Sequence, residues 1–277
     1  MHSKLRFMKE RLDLLLVERR LVESRMKAQW LIKNGYVVVN DVEILKPGKR
    51  IENSSTIRLK QKFPYVGRGG LKLEAALKEF SILVKDKVCV DIGASIGGFT
   101  DCLLQNGALK VYAVDTAKDL LHPSLRCKKK EVIELLGVDA RKLKSVPTNV
   151  DIVTVDVTFS SLKSILPNIK NYLKKKGDII VLIKPLFETN YREDLHLKKI
   201  TDLSVLKKIL GNLIEWCIKY SFFPKDLIVS PLLGKGGSIE FLLYLKIDKD
   251  CNFNFEHIAE KLFRDVKKLV SNYRDSF

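Results

Sequence analysis

Five β-rich apolar runs recur through the middle of the chain: Val88–Asp91, Val111–Asp115, Val132–Leu136, Asp151–Val157 and Asp178–Ile183. Helical stretches such as Leu103–Gln105 and Leu162–Lys174 stand between them. Runs this short and this apolar suit strands covered on both faces, and crossover helices between parallel neighbours supply the cover. The pattern predicts an α/β fold with a doubly wound, mostly parallel sheet. A long helix follows, with Leu206, Leu210, Leu213 and Cys217 in phase. Leu227–Val229 and Phe241–Leu245 should then close the sheet as an antiparallel edge hairpin, and residues 255–275 read as a terminal amphipathic helix.

The pattern is different before residue 61. Leu12, Leu15 and Leu16 give one short helix an apolar stripe, and Ala28, Leu31 and Ile32 give a second one. Ser24 is a natural N-cap for that second helix, and Gly35 suits the left-handed position that ends it. Tyr36–Val39, a tight turn at Asn40-Asp41 and Val42–Leu45 read as a hairpin closed by Pro47-Gly48. Two helices on a small hairpin would leave Arg11, Arg19, Arg20, Arg25, Lys27, Lys33, Lys46 and Lys49 to line one surface. The expected organisation is a small domain over residues 1–60, a linker over 61–66 and a large domain over 67–277.

Charge gives the small domain a role. The chain carries 50 Lys/Arg against 33 Asp/Glu, a net of +17, and fifteen of those bases against seven acids lie in residues 1–62. A basic surplus concentrated in one small module is the footprint of a nucleic-acid partner. The five cysteines are scattered and odd in number, which fits free thiols in a reducing cytoplasm. His2, His122, His196 and His257 show no metal-ligand spacing, so no metal is expected. No run approaches the roughly 18 apolar residues of a membrane span, and Met1–Arg6 lacks a signal core.

Asp91-Ile92-Gly93-Ala94-Ser95-Ile96-Gly97-Gly98-Phe99 is a strand-to-helix turn. A carboxylate at the strand end would repel a pyrophosphate, but it suits the ammonium and sulfonium of S-adenosyl-L-methionine. Glycines at 93, 97 and 98 let backbone approach that cofactor closely, with Ala94, Ser95 and Phe99 beside them. Asp115, closing the next strand, is placed to accept from ribose hydroxyls, and Asp139 from the adenine amino group.

Four residues are candidates for chemistry. Asp156 and Lys184 end adjacent strands on the carboxyl edge, where open α/β sheets bind ligands. Glu240 opens a strand expected to run the other way, so it starts at that edge. Lys72 begins a helix after the mobile entry Gly67-Arg68-Gly69-Gly70. Together they suit methyl transfer to a ribose 2′-hydroxyl, a poor nucleophile that must be oriented and relieved of its proton. Because Asp156 and Glu240 favour a charged ammonium, orientation and charge stabilisation should matter at least as much as base catalysis. Arg68 and Ser24 are added to the residues expected to meet RNA.

The small domain resembles the alpha-L RNA-binding domain named after a small-subunit ribosomal protein. Arg11-Leu12-Asp13, Ser24-Arg25, Leu31–Asn40 and Lys46-Pro47-Gly48 carry the likeness, with Asp41 standing where Gly is usual. The Lys72, Asp156, Lys184, Glu240 arrangement resembles the FtsJ/RrmJ group of RNA 2′-O-methyltransferases. With the N-terminal domain the chain resembles the TlyA family over nearly its whole length, through Tyr65–Leu73, Asp91–Leu103, His122–Arg126, Lys184–Glu188 and Ile239–Phe241. That resemblance implies a Rossmann-like methyltransferase sheet, S-adenosyl-L-methionine, and ribosomal RNA or ribosomal subunits as partner, with a cytidine as target. The family pattern is broken at Thr189–Asp194, which lacks a glycine-rich run, and at Ser238, where Asn is usual. Three other readings stand beside it. They are a membrane-active haemolysin, a non-catalytic ribosome-assembly factor, and a methyltransferase acting on nitrogen, which would carry an Asn/Asp-Pro-Pro-aromatic run instead of Asp156-Val157-Thr158-Phe159.

Overall fold

The structure is a computed structural model and describes residues 9–189, 202–249 and 253–274. Two compact units emerge, one built on the residues before Tyr65 and one spanning Tyr65–Leu269.

The first unit runs β1 (Lys9–Arg11), α1 (Leu12–Glu18), α2 (Arg25–Lys33), β2 (Val37–Val39), β3 (Val42–Glu43), β4 (Arg50–Glu52) and β5 (Ile57–Leu59). Ser24 caps α2 by accepting from the Lys27 backbone N–H at 3.4 Å. Asn40 and Asp41, at φ 47° and 64°, make the two-residue turn between β2 and β3. Their short polar side chains tolerate that left-handed geometry. Two pairings carry no sequence signal: β5 lies antiparallel to β2, and β1 pairs with β4. Leu12, Leu15, Leu16, Ala28, Leu31, Ile32, Val37 and Val39 form one buried core.

The second unit contains α3 (Gly69–Glu79), β6 (Val88–Ile92), α4 (Gly98–Gln105), β7 (Lys110–Asp115), α5 (Pro123–Arg126), β8 (Val132–Leu136) and β9 (Val150–Val155). It continues through α6 (Leu166–Ile169), β10 (Leu173–Ile183), α7 (Pro185–Glu188), α8 (Leu203–Lys219), β11 (Phe223–Val229), β12 (Phe241–Lys246) and, as far as Leu269, α9 (Phe255–Arg274). The seven strands are ordered β11-β12-β10-β9-β6-β7-β8. Neighbours from β10 to β8 pair in parallel, and β12 runs antiparallel to both β10 and β11. The expected doubly wound sheet with a closing antiparallel hairpin is present.

Two expectations are corrected. The stretch 162–174 is not one helix: a 3₁₀ turn at Leu162–Ser164 and the short α6 give way to β10 at Leu173. Pro167 near the start of α6 is tolerated there, but nothing beyond it sustains an apolar helical stripe. Tyr65 and Val66 also leave the expected linker for the second unit. The Tyr65 hydroxyl donates to Glu74 at 2.8 Å, and the Val66 N–H donates to Asp101 at 2.8 Å.

Candidate active site

The carboxyl ends of β6, β9 and β10 and the start of β12 surround a cavity of about 600 Å³. Lys72, Asp156, Lys184 and Glu240 all line it. Each arrives by a different route. Asp156 follows the last residue of β9, and Lys184 the last of β10, which lies beside it in parallel register. Glu240 precedes Phe241, the partner of Ile183, because β12 is reversed. Lys72 lies in the first turn of α3.

The four form two ion pairs of different character. Lys72 Nζ donates to Glu240 Oε2, and the two side chains are 4% and 5% exposed. Lys184 Nζ lies 2.6 Å from Asp156 Oδ1 and donates to Thr158 Oγ1 at 3.0 Å, with the two charged side chains 17% and 23% exposed. The first pair is a fixed charge arrangement in the wall. The second faces open space, where an incoming hydroxyl could meet it.

The glycine turn forms another wall through Gly93, Ala94, Ser95, Gly98 and Phe99, with Ile96 beside them. Gly93 has φ 81°, and a Cβ there would lie 2.3 Å from the Asp156 carbonyl oxygen. A side chain at 93 would therefore displace the catalytic strand end as well as strain the turn. Gly98 meets the backbone of Gly67, Gly69 and Gly70 so closely that α3 and α4 start side by side. A cavity walled by glycine backbone at a strand-to-helix turn fits an adenosyl cofactor.

Four residues expected at the cofactor do not line the cavity: Asp91, Gly97, Asp115 and Asp139. Asp91 is fully buried and accepts from the hydroxyls of Thr100 at 2.6 Å and Thr154 at 3.0 Å. Burial pushes its carboxyl up to about 6, against the opposing effect of those two hydroxyls. Asp91 thus joins β6, β9 and α4 behind the turn. Gly97 is the N-cap of α4 at φ 97° and packs against Leu125. Asp115 accepts from the backbone N–H of Ser95 and of Ala117, each at 2.8 Å, so it braces the turn. Asp139 caps a 3₁₀ turn and is gripped by Arg141, which holds its carboxyl well below the usual range.

Thr158, Phe159, Pro185, Leu186, Phe187, Gly236 and Ile239 also line the cavity, alongside Ser238, Gly67 and Gly69. None of these seven was singled out for a role. For Phe159 the signal was available, since an aromatic three residues beyond Asp156 at a catalytic strand end has no core position to fill. It is 88% exposed at φ 65° and meets the Phe187 ring at 5.4 Å.

The expected RNA-facing set also needs revision. Arg68 lines the cavity, half-buried. Arg11 and Arg25 are paired with the fully buried Asp13 at 3.0 and 2.8 Å. Arg19 donates to the carbonyls of Ser55 and Asn53. Lys27 is buried against Glu23 and the Phe63 ring. Ser24 serves as a cap. These five are engaged in contacts within the unit, although Arg25 is also exposed, as are Arg20, Lys33, Lys46 and Lys49. Thr189 ends the described residues on that side, and the departure over 190–194 lies outside them.

A doubly wound sheet with one reversed strand, opened by a glycine turn beside two lysine–acid pairs, defines a methyltransferase fold of the adenosyl-cofactor class. Family models agree: one described as FtsJ-like methyltransferase matches residues 65–247, and one described as S4 domain matches residues 10–57. The chain belongs to the FtsJ-like methyltransferase family. It is 43% identical to "Putative rRNA methyltransferase YqxC" of Bacillus subtilis, across 96% of each chain. It is 31% identical to "16S/23S rRNA (cytidine-2'-O)-methyltransferase TlyA" of Mycobacterium tuberculosis, across 93% of this chain and 97% of the relative. The solved structure "Putative hemolysin from Streptococcus thermophilus" superposes with a TM-score of 0.69 at 35% identity, covering 94% of this chain and 98% of that one.

Proposed function

We propose that this protein transfers a methyl group from S-adenosyl-L-methionine to the 2′-hydroxyl of a cytidine in ribosomal RNA. One observation carries the reading: Lys72, Asp156, Lys184 and Glu240, from four distant segments, meet on one cavity beside the glycine turn. The name of the M. tuberculosis relative supports the substrate, and the S4 domain and net charge support an RNA partner. Acceptor oxygen is favoured over nitrogen because Val157-Thr158 stands where a nitrogen-directed enzyme would carry two prolines. A membrane-active protein is disfavoured, since no described helix is long and apolar enough to cross a bilayer. Cys89, Cys102 and Cys217 are buried free thiols, which suits a cytoplasmic protein.

When bound, the cofactor supplies an electrophilic methyl on a cationic sulfur. The backbone of Gly93, Ala94, Ser95 and Gly98 and the ring of Phe99 would hold it. Lys184, fixed by Asp156 and Thr158, orients the attacking hydroxyl and stabilises the charge that grows on its oxygen. The proton passes to the Lys184–Asp156 pair, whose exposure to the cavity lets it reach water. Lys72 adds fixed positive charge, and Glu240 keeps that charge in place.

The test is to map 2′-O-methylated positions in ribosomal RNA from cells with and without the protein, and with Lys184→Ala. The reading predicts a cytidine position that disappears without the protein. For purified Lys184→Ala it predicts a kcat at least about a hundredfold lower, with cofactor affinity retained. Full methylation by that variant sinks the mechanism.

A further inference from the structure

The amino edge of the sheet in the second unit, opposite the catalytic edge, gathers that unit's positive charge. Residues 65–269 hold 34 Lys/Arg and 25 Asp/Glu. Segments 85–87, 128–131, 174–178 and 246–249, with Lys110 and Asp151, contribute eleven lysines and five acids of those totals. That leaves a surplus of three for everything else in the unit, whereas this one edge holds six. At the catalytic edge, by contrast, Lys72 and Lys184 are each matched by an acid.

The topology explains the clustering. Lys85 precedes β6, and the Lys87 carbonyl accepts from Leu109 at the start of β7. Lys128, Lys129 and Lys130 precede β8 and are tied there, since Val132 N–H donates to the Lys128 carbonyl and Val111 N–H to that of Glu131. Lys174, Lys175 and Lys176 lie where the β9–β10 register shifts between Leu173 and Asp178. That irregularity leaves three successive side chains exposed, which a regular strand would alternate between faces. Asp151 pairs with Lys174 and Lys87, and Asp178 with Lys246. Lys85, Lys128, Lys129, Lys130, Lys175 and Lys176 are exposed and have no ion pair among the described residues.

We infer that this edge is a second binding surface, for the phosphodiester backbone of folded RNA, away from the nucleotide in the cavity. The inference rests on the RNA reading above and adds a contact to it. From β10 to β8 the edge spans four strand spacings, about 19 Å, room for several successive phosphates. Like-charged lysines left unpaired along a rigid line repel one another, and a polyanion relieves that repulsion. Four of the small unit's eight expected basic RNA contacts are engaged in contacts within that unit, so part of the charge has to be supplied elsewhere. Leu83 and Leu109, 81% and 59% exposed on the same edge, stand in separate turns. They lack the helical apolar face with which peripheral proteins enter a membrane.

The experiment compares wild type with K128Q/K129Q/K130Q/K175Q/K176Q and with a control, K208Q/K267Q, carrying exposed lysines of α8 and α9. Binding is measured from about 50 to 300 mM salt on intact ribosomal RNA and on a short hairpin holding only the target nucleotide. Each lost phosphate contact lowers the slope of log K against log salt by about 0.7 to 0.9. The quintuple variant should lose about two or more units of slope on intact RNA. On the hairpin, and in the control, the slope should hold. An unchanged slope on intact RNA overturns the inference, as does an equal fall on the hairpin, which would mean a general field instead of a second contact. Binding of wild type but not the variant to phosphatidylserine vesicles, with RNA slopes unaltered, would assign the edge to a membrane and also overturn it. If wild type neither binds nor methylates ribosomal RNA, the functional reading itself fails, a result distinct from any difference among variants.

Discussion

Asp13 in the first unit and Asp91 in the second are both fully buried, yet their surroundings differ in kind. Asp13 accepts from Arg11, Arg25 and Gln29. Asp91 accepts from the hydroxyls of Thr100 and Thr154 and from the Thr100 backbone N–H, with no cation among these partners. The small unit buries its acid with cations, so its charge is spent on holding α1 and α2 together. The large unit buries an acid without a cation behind the cofactor turn and puts its two least exposed lysine–acid pairs on the cavity. The charge gathered on Asp13 in the first unit is structural. In the second it is kept where chemistry can use it, at some cost in stability.

The sharpest way to break this contrast is inside the large unit. Glu240→Ala leaves the Lys72 ammonium buried and unpaired, and removing one partner of such a pair costs about 3 to 5 kcal/mol. Lys184→Ala should cost far less stability, because Asp156 keeps contact with the cavity. The two tryptophans separate the units, since Trp30 belongs to the first and Trp216 to α8 of the second. With Trp30→Phe as background, Trp216 fluorescence in urea should show a large midpoint fall for Glu240→Ala and a small one for Lys184→Ala. Equal falls would mean that the two pairs do the same job.

Asp91 gives the next largest effect, through pH. Its folded value of about 6 lies above the usual carboxylate value of 3.8. The folded state therefore holds its proton more tightly, and stability drops as pH rises through the window from about 4 to 6. Two units of upward shift correspond to about 3 kcal/mol once the group is ionised. Asp91→Asn removes that titration. The variant's advantage over wild type, read at Trp216 without cofactor, should grow between pH 4 and 6 and then level off. A constant difference across that window would show that Asp91 titrates alike in the folded and unfolded states, and growth continuing well past pH 6 that it does not ionise inside the fold.

What the sequence shows and what it hides follow one physical division. Strand ends are visible in apolar runs, so Asp156, Lys184 and Glu240 could be placed on one edge before any coordinates. Side-chain direction at those ends is not visible. Asp91, Asp115 and Asp139 each end or follow a strand as expected, but their carboxylates turn to Thr154, to the Ser95 N–H and to Arg141. Pairing across long separations is equally silent: nothing local in Ile57–Leu59 announces β2 as its partner. The lysine run 174–176 masks the start of β10, because three exposed cations break the alternation by which strands are recognised. Counting basic residues likewise overstated the free surface of the small unit, since Asp13 lies in the same motif as Arg11 and takes two arginines.

Asp13 closes the comparison from the other side with the smallest of these effects. Burial alone would raise its carboxyl, but hydrogen bonds from Arg11, Gln29 and Arg25 outweigh that and hold it well below the usual range. The folded state here holds the proton less tightly, so the stabilisation is complete above the ordinary carboxylate value near 4 and fades as pH falls below it. Asp13→Asn keeps the shape and loses the charge. At neutral pH it should cost the first unit about 2 kcal/mol, the range for hydrogen bonds to a charged group. Read at Trp30 in a Trp216→Phe background, the gap between wild type and variant should shrink as pH drops from 5 to 3. That slope is opposite in sign to the Asp91 response at Trp216. Should both substitutions slope the same way, the two buried acids are alike, and the division between structural and functional charge fails.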